Sequence, residues 1–206
     1  MGIVGKARVR CPACGIEQDG ELVQSINTRS DAAVKRRLLA GELNVLACAC
    51  GKRTQLAANV LFHDPDADYY CQVVPGDEAA MAEAAAAFRA AGAAGTQRLV
   101  PSLNALIEKV KILDAGLEDW AIEMTKVLLL ATTGDLDRVL LFERVDRDAG
   151  VIHWVMFDGA PRPVASPLGA YDRLVARTHG KPPATELRID RAWAALAVQA
   201  MITNAN

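Results

Sequence analysis

Four cysteines in two close pairs are the reactive side chains that stand out in this sequence. Cys11 and Cys14 are separated by two residues, and Cys48 and Cys50 are separated by one. Two thiolate pairs, each on a tight turn, can present four sulfurs tetrahedrally to one zinc ion. A glycine follows each pair, so backbone N–H groups can approach the sulfurs without a Cβ in the way. The sequence therefore predicts a Zn²⁺ site with these four cysteines as ligands.

The second cysteine pair is less regular than the first because it has the shorter spacer. A single intervening residue tightens the chelate formed by Cys48 and Cys50. Either the turn adapts to this spacing, or a nearby side chain replaces one of the two thiols. Cys71 and His63 are the candidates for such a replacement. The sequence therefore leaves open which side chain completes the metal site.

Composition sets the class of protein that the chain can be. Its 206 residues, 51% of them hydrophobic, can bury the core of one large or two small domains. The formal net charge of −2 gives no overall attraction to nucleic acid or to an anionic membrane. Five cysteines, an odd number, fit metal-binding thiols in a reducing cytosol better than a disulfide framework. With no leader-like start and no apolar run of membrane-spanning length, we expect a soluble cytoplasmic protein.

The hydrophobic pattern predicts an α+β fold that begins with a small, mainly β lobe over residues 1–76. The expected strands are residues 5–10, 21–26, 43–47 and 69–74. A short helix is expected at residues 31–39, with Ser30 as its N-cap. The lobe contains few large apolar side chains, so it is expected to be marginally stable without a bound metal.

A helical region is predicted next, over residues 77–134. An alanine-rich helix is expected at 78–91, a second helix after its cap at Ser102, and a third from about 117 to 132. In the second helix, Leu106 and Val110 belong to an apolar stripe, and Glu108, Lys109 and Lys111 fall outside it. Because only short connections separate the three helices, the region is predicted to be all-α.

The last segment, residues 135–206, is predicted to hold a β-hairpin with flanking helices and to pack with the helical region as one unit. The hairpin strands are expected at 138–145 and 151–157. The remaining expectations are a helix near 170–177 capped by Ser166, a short strand at 187–189, and a final helix capped by Asp190. The side chains of that helix expected to face inward are Trp193, Leu196, Ala197 and Ala200.

Several segments resemble the bacterial CpXC domain family. They are Cys11-Pro12-Ala13-Cys14-Gly15, Gly41-Glu42-Leu43-Asn44-Val45, Leu61-Phe62-His63-Asp64-Pro65, Asn104-Ala105-Leu106-Ile107-Glu108-Lys109 and Gly116-Leu117-Glu118-Asp119. The resemblance implies a metal site made by four cysteines, and Cys11, Cys14 and Cys50 match its pattern directly. Members usually carry Cys-Pro-x-Cys at the second turn, so Ala47 stands where the other cysteine of the family belongs. The family has largely no assigned activity, so the resemblance implies no particular reaction.

Two further kinds of chemistry have weaker signals. Basic residues near the cysteines can form a nucleic-acid-binding face, although nearby acidic residues nearly cancel their charge. These basic residues are Lys35, Arg36, Arg37, Lys52 and Arg53. The sequence has no Gly-x-Ser-x-Gly motif, no phosphate-binding glycine loop and no His-Glu-x-x-His motif, so no catalytic residues are predicted.

We therefore interpret the chain as a cytoplasmic zinc-binding protein that serves as a structural and protein-interaction module. A protein partner or self-association is expected, nucleic acid is not favoured, and no membrane is involved. One alternative is a nucleic-acid-binding regulator that uses the basic side of the lobe. The other is a zinc-dependent hydrolase or redox enzyme, with an open coordination position near His63.

Overall fold

The computed structural model describes residues 2–92, 94–177, 182–183 and 186–203. These residues form the predicted α+β fold. They divide into two compact units, Met1–Ile107 and Glu108–Asn206. The division falls inside a helix rather than in a linker. The predicted division into residues 1–76, 77–134 and 135–206, with the last two packed as one unit, stays a prediction.

The first unit contains eight strands and two complete helices among its described residues. In chain order they are β1 (Val4–Arg10), β2 (Glu17–Val23), β3 (Ser25–Asn27), α1 (Ala32–Leu39), β4 (Val45–Ala47), β5 (Arg53–Gln55), β6 (Val60–Asp64), β7 (Tyr69–Val73), α2 (Glu78–Ala91) and β8 (Thr96–Val100). The helix α3 (Leu103–Asp114) starts in this unit and ends in the second.

Two hairpins and one larger sheet make up this unit. Strands β1 and β2 pair antiparallel, as do β4 and β5. The larger sheet has the order β3-β6-β7-β8, with β3 parallel to β6 and β8 parallel to β7. Its buried face carries Ile26, Phe62 and Cys71 side by side. The helix α2 connects β7 to β8, as parallel neighbouring strands require.

Two expectations for the first unit were wrong. Residues 96–100 form strand β8, so the region 77–134 is not all-α. The helix α1 begins after Asp31, which takes the N-cap position expected for Ser30. The Asp31 carboxylate accepts a hydrogen bond from the Asn27 N–H instead of capping the helix.

The second unit packs helices against one face of a sheet. After α3 its elements are α4 (Asp119–Thr133), β9 (Val139–Asp146), β10 (Val151–Asp158), β11 (Ala160–Pro167), α5 (Leu168–Arg177) and α6 (Arg191–Thr203). The three strands are antiparallel in the order β11-β10-β9. The core centres on Trp154, which meets Phe142 edge to face and donates from Nε1 to the Ser166 hydroxyl at 2.9 Å.

The structure corrects four expectations in this unit. The predicted hairpin is a three-stranded sheet, because β11 adds to β10. Ser166 lies in β11 and is not a helix cap. Residues 187–189 form no strand, although Leu187 is buried.

The inward face of α6 was assigned only in part. Asp190 caps this helix as predicted, accepting from the Trp193 N–H at 3.0 Å. Trp193 and Ala197 pack against the core as predicted, but Ala194 and Val198 are the buried residues, Leu196 is 69% exposed and Ala200 is exposed. No helix in the described part of the chain has the length and hydropathy needed to cross a lipid bilayer.

Candidate metal centre

The turns of the two hairpins hold the four cysteines. In the turn between β1 and β2, the Cys11 N–H donates to the Ile16 carbonyl and the Gly15 N–H donates to the Cys11 carbonyl, both at 2.9 Å. Gly15 has a φ of 73°, a left-handed conformation that glycine adopts without a steric cost. The turn therefore orders both cysteines through backbone hydrogen bonds.

The second turn reaches the same arrangement with one residue fewer. The Cys48 N–H donates to the Lys52 carbonyl, and the Gly51 N–H donates to the Cys48 carbonyl three residues earlier. The first turn closes across four residues, so the second closes more tightly. Gly51 has a φ of 85° and makes this tighter turn possible. The backbone thus adapts to the single residue between Cys48 and Cys50.

The four sulfurs form a compact cluster. Their Sγ atoms all lie within 4.8 Å of one another. The Cys11 and Cys50 sulfurs are 3.7 Å apart, and the Cys14 and Cys48 sulfurs are 3.6 Å apart. Tetrahedral Zn–S bonds of about 2.3 Å place ligand sulfurs about 3.8 Å from each other. The arrangement can therefore hold a metal ion, and both the donor set and its spacing fit zinc.

The two turns differ in the electrostatics of their sulfurs. Backbone N–H groups of Cys14 and Ala13 donate to the Cys11 sulfur and lower its pKa to about 6. The Ile16 N–H acts in the same direction on Cys14, but burial and the neighbouring thiols outweigh it and raise the pKa of Cys14 to about 12. Cys11 is therefore the thiol of this pair that is ionised at neutral pH, ready to bind a cation.

Close packing between the hairpins sets the distance between their turns. Gly20 of β2 lies against Leu46 and Leu56, so that a Cβ built on Gly20 would be 3.1 Å from Leu56 Cδ1. Asn44 also joins the hairpins: its Oδ1 accepts from the Val23 N–H at 2.8 Å and its Nδ2 donates to the Val23 carbonyl at 3.0 Å. The segment containing Asn44 carried the family resemblance, and its role here is to position the second turn.

The two alternative ligands lie outside the sulfur cluster. Cys71 is fully buried in β7, opposite Phe62. His63 lies in β6 and stacks on Tyr70, with ring centroids 4.2 Å apart and planes 9° apart. The structure thus brings Cys48 to the other three cysteines, and it brings neither His63 nor Cys71 there.

The basic residues beside the first turn face acidic residues on the neighbouring strand. The strand register pairs Lys6 with Glu21, Arg8 with Asp19, and Arg10 with Glu17. Arg8 also forms an ion pair with Glu17 at 3.1 Å. This cross-strand pairing neutralises one side of the hairpin, which removes the uniform positive potential that phosphate binding requires.

A buried ionic cluster in the second unit was not anticipated. Its members are Glu108, Lys109, Asp119, Glu123 and Lys126. Lys109 donates to Asp119 at 2.9 Å and to the Ile189 carbonyl at 2.7 Å. Lys126 pairs with Glu108 at 2.7 Å and with Glu123 at 2.9 Å.

This buried ionic cluster joins several elements of the unit. Glu108 also accepts a hydrogen bond from the Phe142 N–H, so α3 is attached to strand β9. The contacts of Lys109 attach α3 to α4 and to the segment before α6. A signal for the cluster was present in the sequence, because Asp119, Glu123 and Lys126 recur at helical spacing in a helix of otherwise mostly apolar residues.

A comparison with known protein families gives a match that includes the sulfur cluster. A family model described as CpXC protein matches residues 9–126, which is more than half of the chain. The matched residues include all four clustered cysteines and every member of the buried ionic cluster. No curated protein and no solved structure shows a significant match to the chain.

Proposed function

Since the chain belongs to the CpXC family, we propose that it is a zinc-binding protein whose metal centre is structural and whose role is protein interaction. The observation that carries this proposal is the cluster of four sulfurs at the ends of two hairpins. A site with four protein ligands has no position left for water or substrate, which is typical of structural rather than catalytic zinc. This supports a structural centre over the hydrolase or redox-enzyme alternative.

In this proposal Cys11, Cys14, Cys48 and Cys50 hold the ion. Zinc would supply a cross-link between the turns of two short hairpins, β1–β2 and β4–β5. The free energy of metal binding then contributes directly to folding of this part of the chain. Metal-binding thiols suit a reducing compartment, and on that ground we place the protein in the cytoplasm.

Metal analysis of the reduced protein tests the zinc proposal. We expect one zinc ion per chain in the wild type and none in a Cys11→Ser, Cys14→Ser double variant. Both proteins are purified with a thiol reductant, and the metal is quantified by mass spectrometry. Wild-type protein without stoichiometric metal, or a double variant with undiminished zinc, would refute the proposal.

The interaction role is supported by the outward face of the second unit's sheet. We call this the outer sheet face; its residues are Val139, Leu141, Val155, Phe157, Pro161 and Pro163. The register places them in two rows across the three strands, on the side opposite buried Trp154 and Met156. Val139 is 46% exposed and Phe157 is 42% exposed, so apolar surface faces solvent.

The edges of this sheet are poorly suited to pairing with another strand. Three prolines in β11 remove backbone donors from one edge strand. On β9, the other edge strand, Glu108 occupies the N–H of Phe142. An association through this sheet therefore uses its face.

We take a second copy of this chain to be the occupant of the outer sheet face. The two apolar rows carry no charge, so they need no oppositely charged partner and can pack against themselves. The whole sheet, with three strands of eight residues, spans about 14 Å by 27 Å, or about 400 Å², and the outer sheet face is a part of this area. Stable complexes bury about 800 Å² per partner. The expected dimer is therefore weak and depends on protein concentration.

Sedimentation velocity over a range of protein concentrations tests this dimer. We expect the wild type to shift from monomer to dimer as the protein concentration rises. Phe157→Lys should stay monomeric, because dimerisation would bury the lysine charge in the interface. Leu196→Lys is the matched control, since it adds the same charge at an exposed apolar residue of α6. A wild type that is monomeric throughout, or a partner protein whose binding depends on Phe157, would exclude the second copy as occupant.

The nucleic-acid alternative depends on the basic residues of α1 and on Lys52 and Arg53 after the second turn. A shift assay at several salt concentrations would detect such binding through a steep loss of affinity with salt. Charge reversal at Lys35, Arg36 and Arg37 should then abolish the binding.

A further inference from the structure

Each turn of the candidate metal centre contains one buried and one exposed cysteine. Cys11 and Cys48 are buried, whereas Cys14 and Cys50 are exposed. The two close sulfur contacts cross from one turn to the other and join an exposed sulfur to a buried one. They are the Cys14–Cys48 contact at 3.6 Å and the Cys11–Cys50 contact at 3.7 Å. These two contacts favour disulfides that link one turn to the other.

We propose that the four cysteines are also an oxidation site, at which a peroxide links Cys14 to Cys48 and Cys11 to Cys50. The proposal rests on the zinc site of the proposed function, because oxidation would remove the ligands of the ion. It adds a second state of the same residues, in which covalent bonds replace the metal between the hairpins.

The exposed sulfur of each pair reacts first, since a soluble oxidant can reach it. Cys14 is deprotonated when it holds the ion, and its thiolate attacks one oxygen of hydrogen peroxide; the S–O bond forms, the O–O bond breaks, and hydroxide leaves with a sulfenic acid remaining on Cys14. The Cys48 thiolate then attacks this sulfenic sulfur. The S–S bond forms, the S–O bond breaks, and a second hydroxide leaves. Two thiolates have lost two electrons, and one peroxide has become two hydroxides that take up two protons as water.

Cys50 and Cys11 react in the same way with a second peroxide. In each pair the sulfurs must approach by about 1.6 Å to reach the disulfide length of about 2.05 Å. A bond within the second turn would instead have to close across the single residue Ala49. The crossed pairs avoid this constraint, because each joins the two turns. Loss of two thiolates per disulfide then releases the ion.

Cys71 provides an internal control in the same chain. Its side chain is fully buried in β7 and lies outside the sulfur cluster. An oxidant cannot reach it in the folded protein, and none of the clustered sulfurs can resolve an oxidised Cys71. It should therefore remain a free thiol while the clustered cysteines react.

Oxidation of the zinc-loaded full chain with hydrogen peroxide tests the proposal. Zinc release is followed with a chromophoric chelator, and the products are digested with trypsin without reduction. Cys11 and Cys14 lie on the tryptic peptide 11–29, and Cys48 and Cys50 lie on the peptide 38–52. We expect these two peptides to become linked, with Cys14–Cys48 and Cys11–Cys50 connectivity by fragmentation, and zinc to return after addition of a thiol reductant.

Variants and the reduced protein separate this proposal from the zinc assignment. In Cys14→Ser, the Cys11–Cys50 link should still form and Cys48 should be recovered as a free thiol. Disulfides confined to single peptides, or unlinked peptides after full zinc release, would overturn the oxidation proposal and leave the zinc site intact. A reduced protein without zinc would instead overturn the metal proposal, and its peptide map would still decide the connectivity.

Discussion

The backbone, at the scale of single residues, determines where the four sulfurs point. In both turns a glycine at positive φ directly follows the second cysteine of the pair, so that the chain reverses without moving the sulfurs apart. The second turn compensates for its missing spacer residue with a three-residue closure between Cys48 and Gly51. Cys48 can therefore complete the set of ligands, although the spacing of its pair differs from that of the first.

Substitution of Cys48 tests its place in the site. We expect Cys48→Ser to weaken zinc binding by more than the roughly 10–100-fold that follows loss of an outer-shell partner, because a ligand itself is lost. Cys71→Ala is the matched control, and its zinc affinity should equal that of the wild type. Competition against a chromophoric chelator measures the zinc dissociation constant of each variant. Equal affinities for Cys48→Ser and the wild type would show that another group completes the site.

The pKa values of the first pair predict how metal affinity depends on pH. Cys14, with a pKa of about 12, releases a proton on binding at any ordinary pH, so affinity should rise with pH. Cys11, with a pKa of about 6, is already ionised above that pH and protonated below it. The plot of log affinity against pH should therefore become steeper by about one proton below pH 6. A constant slope in chelator competition across this range would contradict the lowered pKa of Cys11.

Two features at the scale of elements hold the sites in shape: the contact between the hairpins and the buried ionic cluster. The hairpin contact depends on Gly20, since its missing Cβ allows Leu46 and Leu56 to approach β2. The ionic cluster depends on ion pairs between the helices α3 and α4. Each of these two features leads to a separate prediction.

A methyl group at Gly20 should separate the hairpins. We expect Gly20→Ala to lower the free energy of unfolding of the zinc-loaded protein by about 1–3 kcal/mol, which is the usual cost of overpacking. It should also weaken zinc binding, because the distance between the turns sets the spacing of the sulfurs. Gly5→Ala is the control, since a Cβ there meets only the Gln24 side chain at ordinary contact distance. Equal stability and affinity of the two variants in denaturant and chelator titrations would contradict this role.

Removal of Lys126 should leave Glu108 buried without its cation and Glu123 with only the longer pair to Lys109 at 3.8 Å. Burial lowers the pKa of Lys126, but the two carboxylates outweigh this effect and raise it, so the lysine is charged. We expect Lys126→Met to cost roughly 3–5 kcal/mol in chemical denaturation, because a broken buried pair leaves uncompensated charge. Arg8→Met, which removes an exposed pair with Glu17, should change stability by about 1 kcal/mol or less. A loss below 1 kcal/mol for Lys126→Met would show that the cluster does not hold the helices.

Elements with strong local signals were predictable from the sequence, and elements that depend on distant contacts were not. The helix Glu78–Ala91 has the predicted ends because Asp77 caps it and Gly92 ends it with a left-handed residue. Strand Thr96–Val100 was missed because it carries the polar residues Gln97 and Arg98, which the tertiary structure nevertheless buries. Strand Ala160–Pro167 was missed because its prolines argue against a strand, although an edge position tolerates them.

The same distinction applies to the candidate sites. The four cysteines were predictable because metal ligands are limited to few residue types and their spacing is read directly from the chain. The ionic cluster was not, since Glu108 and Lys109 lie outside the apolar stripe of their helix and their burial depends on α4, β9 and the segment before α6. The helical spacing of Asp119, Glu123 and Lys126 was a signal, but charges are usually exposed, so the burial of Glu108 and Lys109 follows only from their partners in space.

At the scale of the whole molecule, we expect the second unit and the hairpins of the first unit to be stabilised by different features. The second unit has a continuous apolar core that includes Trp120, Phe142 and Trp154, and all its members lie between residues 112 and 201. The hairpins of the first unit carry the candidate metal centre instead. Because that core and the proposed metal cross-link involve different residues, metal removal should act on only one of them.

Hydrogen exchange with and without zinc tests this division. We expect a chelator under reducing conditions to raise amide exchange in β1, β2, β4 and β5, because the hairpins lose the link between their turns. Amides of α4, β9 and β10 should keep their protection, since their core contains no metal ligand. Lys126→Met gives the converse control, with faster exchange in α4 and unchanged zinc content. Loss of protection in α4 on chelation would mean that the metal stabilises the whole chain, and unchanged exchange in the hairpins would mean that it stabilises neither unit.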